Sequence, residues 1–397
     1  MHLRREFRRR RTDMAETITA RRLVTDTAVV EFPILTLAAD GTIQEIVSDA
    51  KALAHEQDTL TAAFLDIHTH GAMGHDVMSA SPAQLGEMQR FLALHGVANF
   101  LPTTATTSID ATLHALEALA DAIEAEPREA EARPVGIHLE GPFLSHAKRG
   151  VHPAQELQPP GITLFDRFYQ SARGHISLMT LAPELPGALD LIRHAVSLGV
   201  KVSVGHSNAL AAETLTAVYT GATSATHTFN AMRALDHREP GILGIVLDDD
   251  RLFAELICDG IHVAPPLVRL WLKAKGLDRA ILVTDAMSAT GMPDGEYRLA
   301  GLSVQVANGR AQLSEDLAKG KHTLAGSVLT LDRGVANLQS FTAASLADAV
   351  RLASHNPAAM LGRPELTRIQ AGNAANLNRF DAANHLTATY IRGQRIR

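Results

Sequence analysis

Cysteine is almost missing from this chain. The single thiol, Cys258, excludes an intramolecular disulfide. A secreted disulfide scaffold and a cysteine-based zinc ribbon go with it. A lone cysteine of this kind is expected to be a small buried apolar side chain. Aromatic residues are also scarce, at 4% with one Trp. Positive charge does not dominate, because 37 Lys and Arg face 43 Asp and Glu for a net charge of −6. With no aromatic–basic interleaving either, nothing drives the chain toward nucleic acid. No apolar run is long enough for a membrane-spanning helix. No G-x-G-x-x-G or Walker loop follows any strand-like run, so the usual signature of a doubly wound nucleotide-binding sheet is missing.

What is present is an ordinary globular composition: 397 residues, 46% hydrophobic, mean hydropathy +0.01. Such a length suits one large α/β barrel with an appendage. Arg4, Arg5, Arg8, Arg9, Arg10 and Arg11 crowd the start. No secretory apolar region follows them, because Glu16, Arg21, Arg22, Asp26 and Glu31 interrupt the sequence. Residues 1–14 are expected to be a disordered tail, or the start is Met14, and the protein is expected in the cytoplasm.

Residues 15–60 and 364–397 read as short β pieces, with a turn at Asp40-Gly41, and the two ends are expected to pair into one small β-sandwich domain. Between them, over 61–363, β-branched runs alternate with helical patterns. The strand-like runs are 63–71, 98–106, 135–142, 176–184, 200–208, 222–230, 253–262 and 280–287. Helical patterns cover 82–95, 111–125, 186–198 and 210–219. Strands alternating with helices imply a parallel sheet with right-handed crossovers. Eight of them predict an α/β fold of the (β/α)8 TIM-like type, in which function sits at the C-terminal ends of the strands.

Those ends carry a particular set of side chains. The first run ends in His68-x-His70, the third in His138-Leu139-Glu140, the fifth in His206, the sixth in His227 and the eighth in Asp285. Imidazole and carboxylate at the end of a buried strand are costly unless paired or bound to metal. Several such ligands converging on one mouth is how a catalytic divalent-metal site is built. His68 and His70, two apart on a strand, share a face and can reach one ion. Asp285 can ligate metal or accept a proton. His95, His175, His194 and His355 fall in helices or at element boundaries and read instead as hydrogen-bonded structural residues.

The motifs "HTHG", "GIHLEGPFL", "TLAPE", "VSVGHSNA", "ATHTFNAM", "REPGILG", "DGIHV", "LVTDAMSATG" and "TLAGSVLTL" together resemble the N-acetylglucosamine-6-phosphate deacetylase family of metal-dependent amidohydrolases. The resemblance runs from about residue 60 to about 363. It implies that Glu140, His206 and His227 bind the principal divalent metal, that His68 and His70 add a second position, and that Asp285 is the catalytic base and acid. One or two ions per subunit follow, with Zn or Fe favoured and Co or Mn open. The family's substrate contacts fall on Val151, His152, Asn230, Ala231, Arg238, His262, Leu324, Ala325 and Gly326. The implied partners are an amino sugar phosphate and a second copy of the chain, with Arg238 reaching the neighbouring site of a homodimer. Without the resemblance, Arg238 would read as a surface ion pair with Asp236 or Glu239. The implied reaction is hydrolysis of N-acetyl-D-glucosamine 6-phosphate. Alternatives are the N-acetylgalactosamine epimer, another N-acyl amino sugar, or a non-catalytic sugar-phosphate-binding barrel. Dihydroorotase-like relatives often bridge their metals with a carboxylated lysine, whereas Glu140 stands at that position here.

Overall fold

In the computed structural model, which describes residues 16–397, eight parallel strands close into a barrel. The expected arginine-rich tail and the alternative start at Met14 lie outside the described residues. The barrel strands are β1 (Phe64–Thr69), β2 (Val97–Thr104), β3 (Ile137–Glu140), β4 (Ile176–Leu181), β5 (Lys201–Val204), β6 (Ser224–Ala225), β7 (Phe253–Ile257) and β8 (Ala280–Val283). They pair parallel in order from β1 through β8. Closure comes just beyond the strand ends, where Asp285 N donates to His68 O and a parallel bridge joins Thr69 to Ala286.

Alternation along each strand sorts its side chains. In β3, Ile137 and Leu139 pack outward into the main apolar cluster with the helices, leaving His138 and Glu140 to the opposite face. In β1, Leu65 and Ile67 pack against Ala358, Met360 and Leu361, while Asp66, His68 and His70 take the other face. The helices start on local signals. Ser81 caps Pro82–Leu94 in a capping box with Gln84, Ser108 caps Ile109–Glu124, and Ser345 with Asp348 caps Leu346–Ala353. Among the described residues no helix is long and apolar enough to cross a membrane.

The two chain ends do meet. Thr59–Ala62 pairs antiparallel with Leu377–Phe380 inside a six-stranded sheet, and a three-stranded sheet of Glu16–Thr19, Pro33–Leu37 and Ile43–Ser48 faces it. Ile18, Leu35 and Leu37 from one sheet share a core with Leu23, Leu60, Leu377 and Tyr390 from the other.

Two features depart from the sequence expectation. The sixth run, expected over 222–230, is a strand only at Ser224–Ala225. Beyond it His227, Phe229 and Ala231 take positive φ, which extended backbone does not allow. After β8, the chain builds an antiparallel sheet of Gly295–Leu299, Leu302–Ala307 and Arg310–Leu313 that the alternation did not reveal. Its small core of Leu299, Val304, Val306 and Ala311 includes Met287 and Ala325, so it sits directly over the end of β8.

Candidate metal centre and active site

The residues expected at the strand ends converge. Glu140 Oε1 lies 3.4 Å from His206 Nε2, 3.4 Å from His227 Nε2 and 3.6 Å from His68 Nε2. Its other oxygen lies 3.3 Å from His70 Nε2. Asp285 Oδ1 stands 3.2 Å from His70 Nε2 and 3.6 Å from His68 Nε2. All six residues are buried. His206, His227 and Asp285 each hold a left-handed backbone, at φ +47°, +29° and +50°. Such conformations cost about 1–3 kcal/mol each in residues with a Cβ and persist where the surroundings impose them. Two glycines serve the same geometry. A Cβ on Gly141, at φ +76°, would meet Thr106 Oγ1 at 2.1 Å, and one on Gly326, at φ +62°, would meet the Asp285 carbonyl at 3.1 Å.

In three of the four imidazoles the far side fixes the tautomer. His70 Nδ1 donates to the Thr103 carbonyl at 2.9 Å, His206 Nδ1 to the Lys148 carbonyl at 3.0 Å, and His68 Nδ1 to Glu255 at 3.2 Å. In the neutral ring each Nε2 therefore carries a lone pair into the centre. There they face one another, His206 to His227 at 3.0 Å and His68 to His70 at 3.3 Å. The facing lone pairs of neutral His68 and His70 repel unless a positive charge lies between or beside them. Among the described residues, Glu140 Oε1 and His227 Nδ1 have no hydrogen-bond partner although both are buried. Imidazole and carboxylate donors with outer partners, converging on one point, fit a divalent ion. His68, His70 and Asp285 form one compact ligand group, and Glu140, His152 and His206 another.

Charge in the cluster behaves accordingly. Burial opposes a proton on His70, yet Asp285 and Glu140 beside it raise it to about 9. Burial also works against the Asp285 carboxylate, but His68 and His70 hold it well below the ordinary value. His152 differs. Burial and the neighbouring His206 push it down to about 3, so it is neutral. Its Nδ1 accepts from the Thr106 amide at 3.2 Å, which leaves Nε2–H as a donor pointing toward the centre. That tautomer suits an acyl-oxygen donor better than a metal ligand.

The remaining expected residues are more dispersed. Asn230 donates its amide to the His227 carbonyl at 3.3 Å, and the Ala231 carbonyl accepts from Ser207 N at 3.0 Å, beside His206. His262 Nδ1 is held by Asp259 at 2.7 Å. Leu324, Ala325 and Gly326 lead into Ser327, which pairs with Ala286 next to Asp285. Val151 packs its side chain against the small sheet's core. Arg238 is exposed and touches none of the buried cluster. It is not ion-paired with Asp236 or Glu239 either. Asp236 accepts from the amides of Arg238 and Glu239, and Glu239 from those of Ala211 and Gly241.

Two polar residues of the centre, Glu255 and Asp66, were not singled out from sequence, and His138 was named only as part of the third strand end. Glu255 holds His68, and His138 donates or accepts at Thr180 (2.8 Å) while lying edge-on to His68. Asp66 accepts from Thr284 Oγ1 at 2.6 Å, tying β1 to β8, and burial pushes its carboxyl up to about 6. The signal was a charged or polar residue inside an otherwise apolar strand, as in "FAELI" and "FLDIHT". The structural histidines read as expected: His95 pairs with Asp332, His175 with Glu124, His194 with Asp166 and His355 with Thr367.

A buried, histidine-rich candidate metal centre at the C-terminal mouth of a (β/α)8 barrel defines a class, and comparison with known proteins agrees with it. The amidohydrolase family profile matches residues 59–396. The chain belongs to the amidohydrolase family, whose members are metal-dependent, in its N-acetylglucosamine-6-phosphate deacetylase branch. It is 38% identical over 313 residues to N-acetylglucosamine-6-phosphate deacetylase of Bacillus subtilis, spanning 78% of this chain and 77% of that one. It is 34% identical over 383 residues to N-acetylgalactosamine-6-phosphate deacetylase of Escherichia coli O157:H7, spanning 96% of this chain and 99% of the relative. Among solved structures, a mutant N-acetyl-D-glucosamine-6-phosphate deacetylase of Mycobacterium smegmatis in complex with N-acetyl-D-glucosamine-6-phosphate superposes with a TM-score of 0.88. It shows 32% identity and covers 96% of this chain and 99% of that one.

Proposed function

We propose that this chain hydrolyses the acetamide of N-acetyl-D-glucosamine 6-phosphate to D-glucosamine 6-phosphate and acetate. The observation that carries the reading is the convergence of imidazole lone pairs and Glu140 beside an ionised Asp285, in a chain related to deacetylases of this substrate class.

Glu140, His206 and His227 would hold one divalent ion, and His68 with His70 a second. Zn or Fe suits these donors best, with Co or Mn as alternatives. When bound, the ion supplies the Lewis acidity that lets water attack an amide at neutral pH. Asp285 accepts the proton of that water and passes it to the amine nitrogen as the C–N bond breaks, because an amide anion cannot leave. His152 offers its Nε2–H to the acyl oxygen, where negative charge develops. Asn230, Ala231, His262 and the 324–326 segment border the sugar, with Val151 shaping the wall beneath them. Arg238 supplies the fork geometry for the phosphate.

Arg238 shares its exposed loop with Leu235, which is 53% exposed. An apolar side chain and an exposed guanidinium with no ion-pair partner among the described residues, on one loop, support a homodimer in which Arg238 serves the neighbouring site. Analytical ultracentrifugation checks this, and a monomer at assay concentration contradicts it. A phosphorylated substrate, which membranes retain, fits the cytoplasm.

The E. coli relative, matched over nearly its whole length, favours one second reading: the N-acetylgalactosamine epimer. The test is kcat/KM of metal-loaded protein for both 6-phosphates and for unphosphorylated N-acetylglucosamine. A preference of at least ~100-fold for the phosphorylated sugars supports the clamp, and the epimer with the higher value is the substrate. Equal rates with the unphosphorylated sugar contradict Arg238 as phosphate ligand. No turnover of any of the three returns the barrel to a binding role.

A further inference from the structure

We propose that Glu255 is the positioning residue that makes His68 a metal ligand and so makes the centre a two-ion site. The proposal rests on the metal reading above and goes beyond it, by assigning to one side chain the occupancy of the second position.

Glu255 lies in the middle of β7, fully buried among Phe253, Ala254, Leu256 and Ile257. A carboxylate in such a strand needs a reason. Its Oε2 accepts from His68 Nδ1 at 3.2 Å and from the His227 backbone N at 3.4 Å, while Oε1 has no partner. It thus touches one ligand of each candidate ion position. The bond to Nδ1 turns the lone pair of His68 Nε2 toward Asp285, Glu140 and His70.

The comparison within the centre sharpens the point. His70 and His206 are oriented by backbone carbonyls, which supply direction and no net charge. His68 is oriented by a charged side chain. A carboxylate behind an imidazole fixes its tautomer and raises its basicity as a ligand, and losing such a partner typically weakens metal affinity or activity by about 10–100-fold. Charge counting agrees. Among the described residues, the ion-pair partners of Glu140, Glu255 and Asp285 are all histidines, with no Lys or Arg. Three buried carboxylates with only histidines beside them favour bound positive charge at this centre.

A purely structural role, pinning His227 at its left-handed backbone, would disturb the first ion instead of the second. The test is therefore the binding of Co²⁺ to metal-free protein, followed by its d–d absorption, with ions per chain counted by plasma mass spectrometry. Wild type is expected to take two ions. Glu255→Leu is expected to keep the tighter ion with an unchanged spectrum and to bind the second about 10–100-fold more weakly. Glu255→Gln keeps shape and an acceptor oxygen but loses the charge, and is expected to fall between the two. If Glu255→Leu does not fold, Glu255→Gln decides. Two ions bound with wild-type affinity in the variants overturn the proposal, as does loss of the first ion alone, or a wild type that saturates at one ion. A wild type that binds no divalent ion overturns the metal reading itself.

Discussion

The two ends of this molecule obey different rules. In the terminal β-sandwich, apolar side chains from two sheets close on each other, and the strands run in unbroken antiparallel register from Leu377↔Ala62 to Phe380↔Thr59. At the barrel mouth, three of the six converging residues hold left-handed backbones, and imidazoles face one another nitrogen to nitrogen. The first region is held by a shared apolar core. The second accepts strain and nitrogen-to-nitrogen proximity that a divalent cation would relieve. Stability and chemistry are therefore separable by mutation.

The contrast is broken most strongly at Asp285. Asp285→Asn is expected to lower kcat by about 10²–10⁴-fold while moving the melting temperature little, because it removes the proton carrier and keeps the side-chain shape. Steady-state kinetics with differential scanning calorimetry on one preparation checks both halves. Leu60→Ala, fully buried in the sandwich, should do the reverse. It is expected to cost about 2–5 kcal/mol of stability and to leave kcat/KM at 25 °C within about twofold. A parallel loss of kcat/KM in still-folded protein would show the two ends to be coupled.

A smaller effect sits at Lys275, away from both regions. Burial pushes its ammonium down to about 8, from 10.5 in the open chain, although Asp249 and Asp250 lie near. Between those two pH values the unfolded chain keeps a proton the folded chain has released, so stability rises with pH from about 8 to about 10.5. Lys275→Met is expected to flatten that slope in chemical denaturation. Smallest is Cys258. Burial pushes its thiol up to about 12. A thiol reagent at pH 8 is expected to leave it untouched until the protein is denatured, and fast modification of the native chain would contradict its packing.

The barrel was legible because its cause is local and repeated: apolar runs at β1 to β5, each followed by an amphipathic helix, with Ser81 and Ser108 capping the first two. The candidate site was legible for a related reason, since His68, Glu140, His206 and Asp285 fall at the same end of β1, β3, β5 and β8. The sixth strand was overestimated, because the positive φ at His227 and Phe229 is imposed by the closed site and leaves no trace in propensity. Glu255 and Asp66 escaped for the opposite reason. They sit inside strands, where attention to strand ends does not look, and their partners His68 and Thr284 are 187 and 218 residues away along the chain. The sheet over 295–313 was not read because its short antiparallel strands carry mixed polar patterns such as "GEYRL".

The central claim is that the strained mouth is a metal-dependent deacetylase centre. Acetate release from N-acetyl-D-glucosamine 6-phosphate tests it most directly, measured on one preparation before chelation, after chelation and after divalent metal is restored. The account predicts turnover that vanishes with the metal and returns with it, while the sandwich keeps the chain folded throughout. Turnover that persists in metal-free protein, or fully metal-loaded protein that releases no acetate from either 6-phosphate epimer, would contradict it.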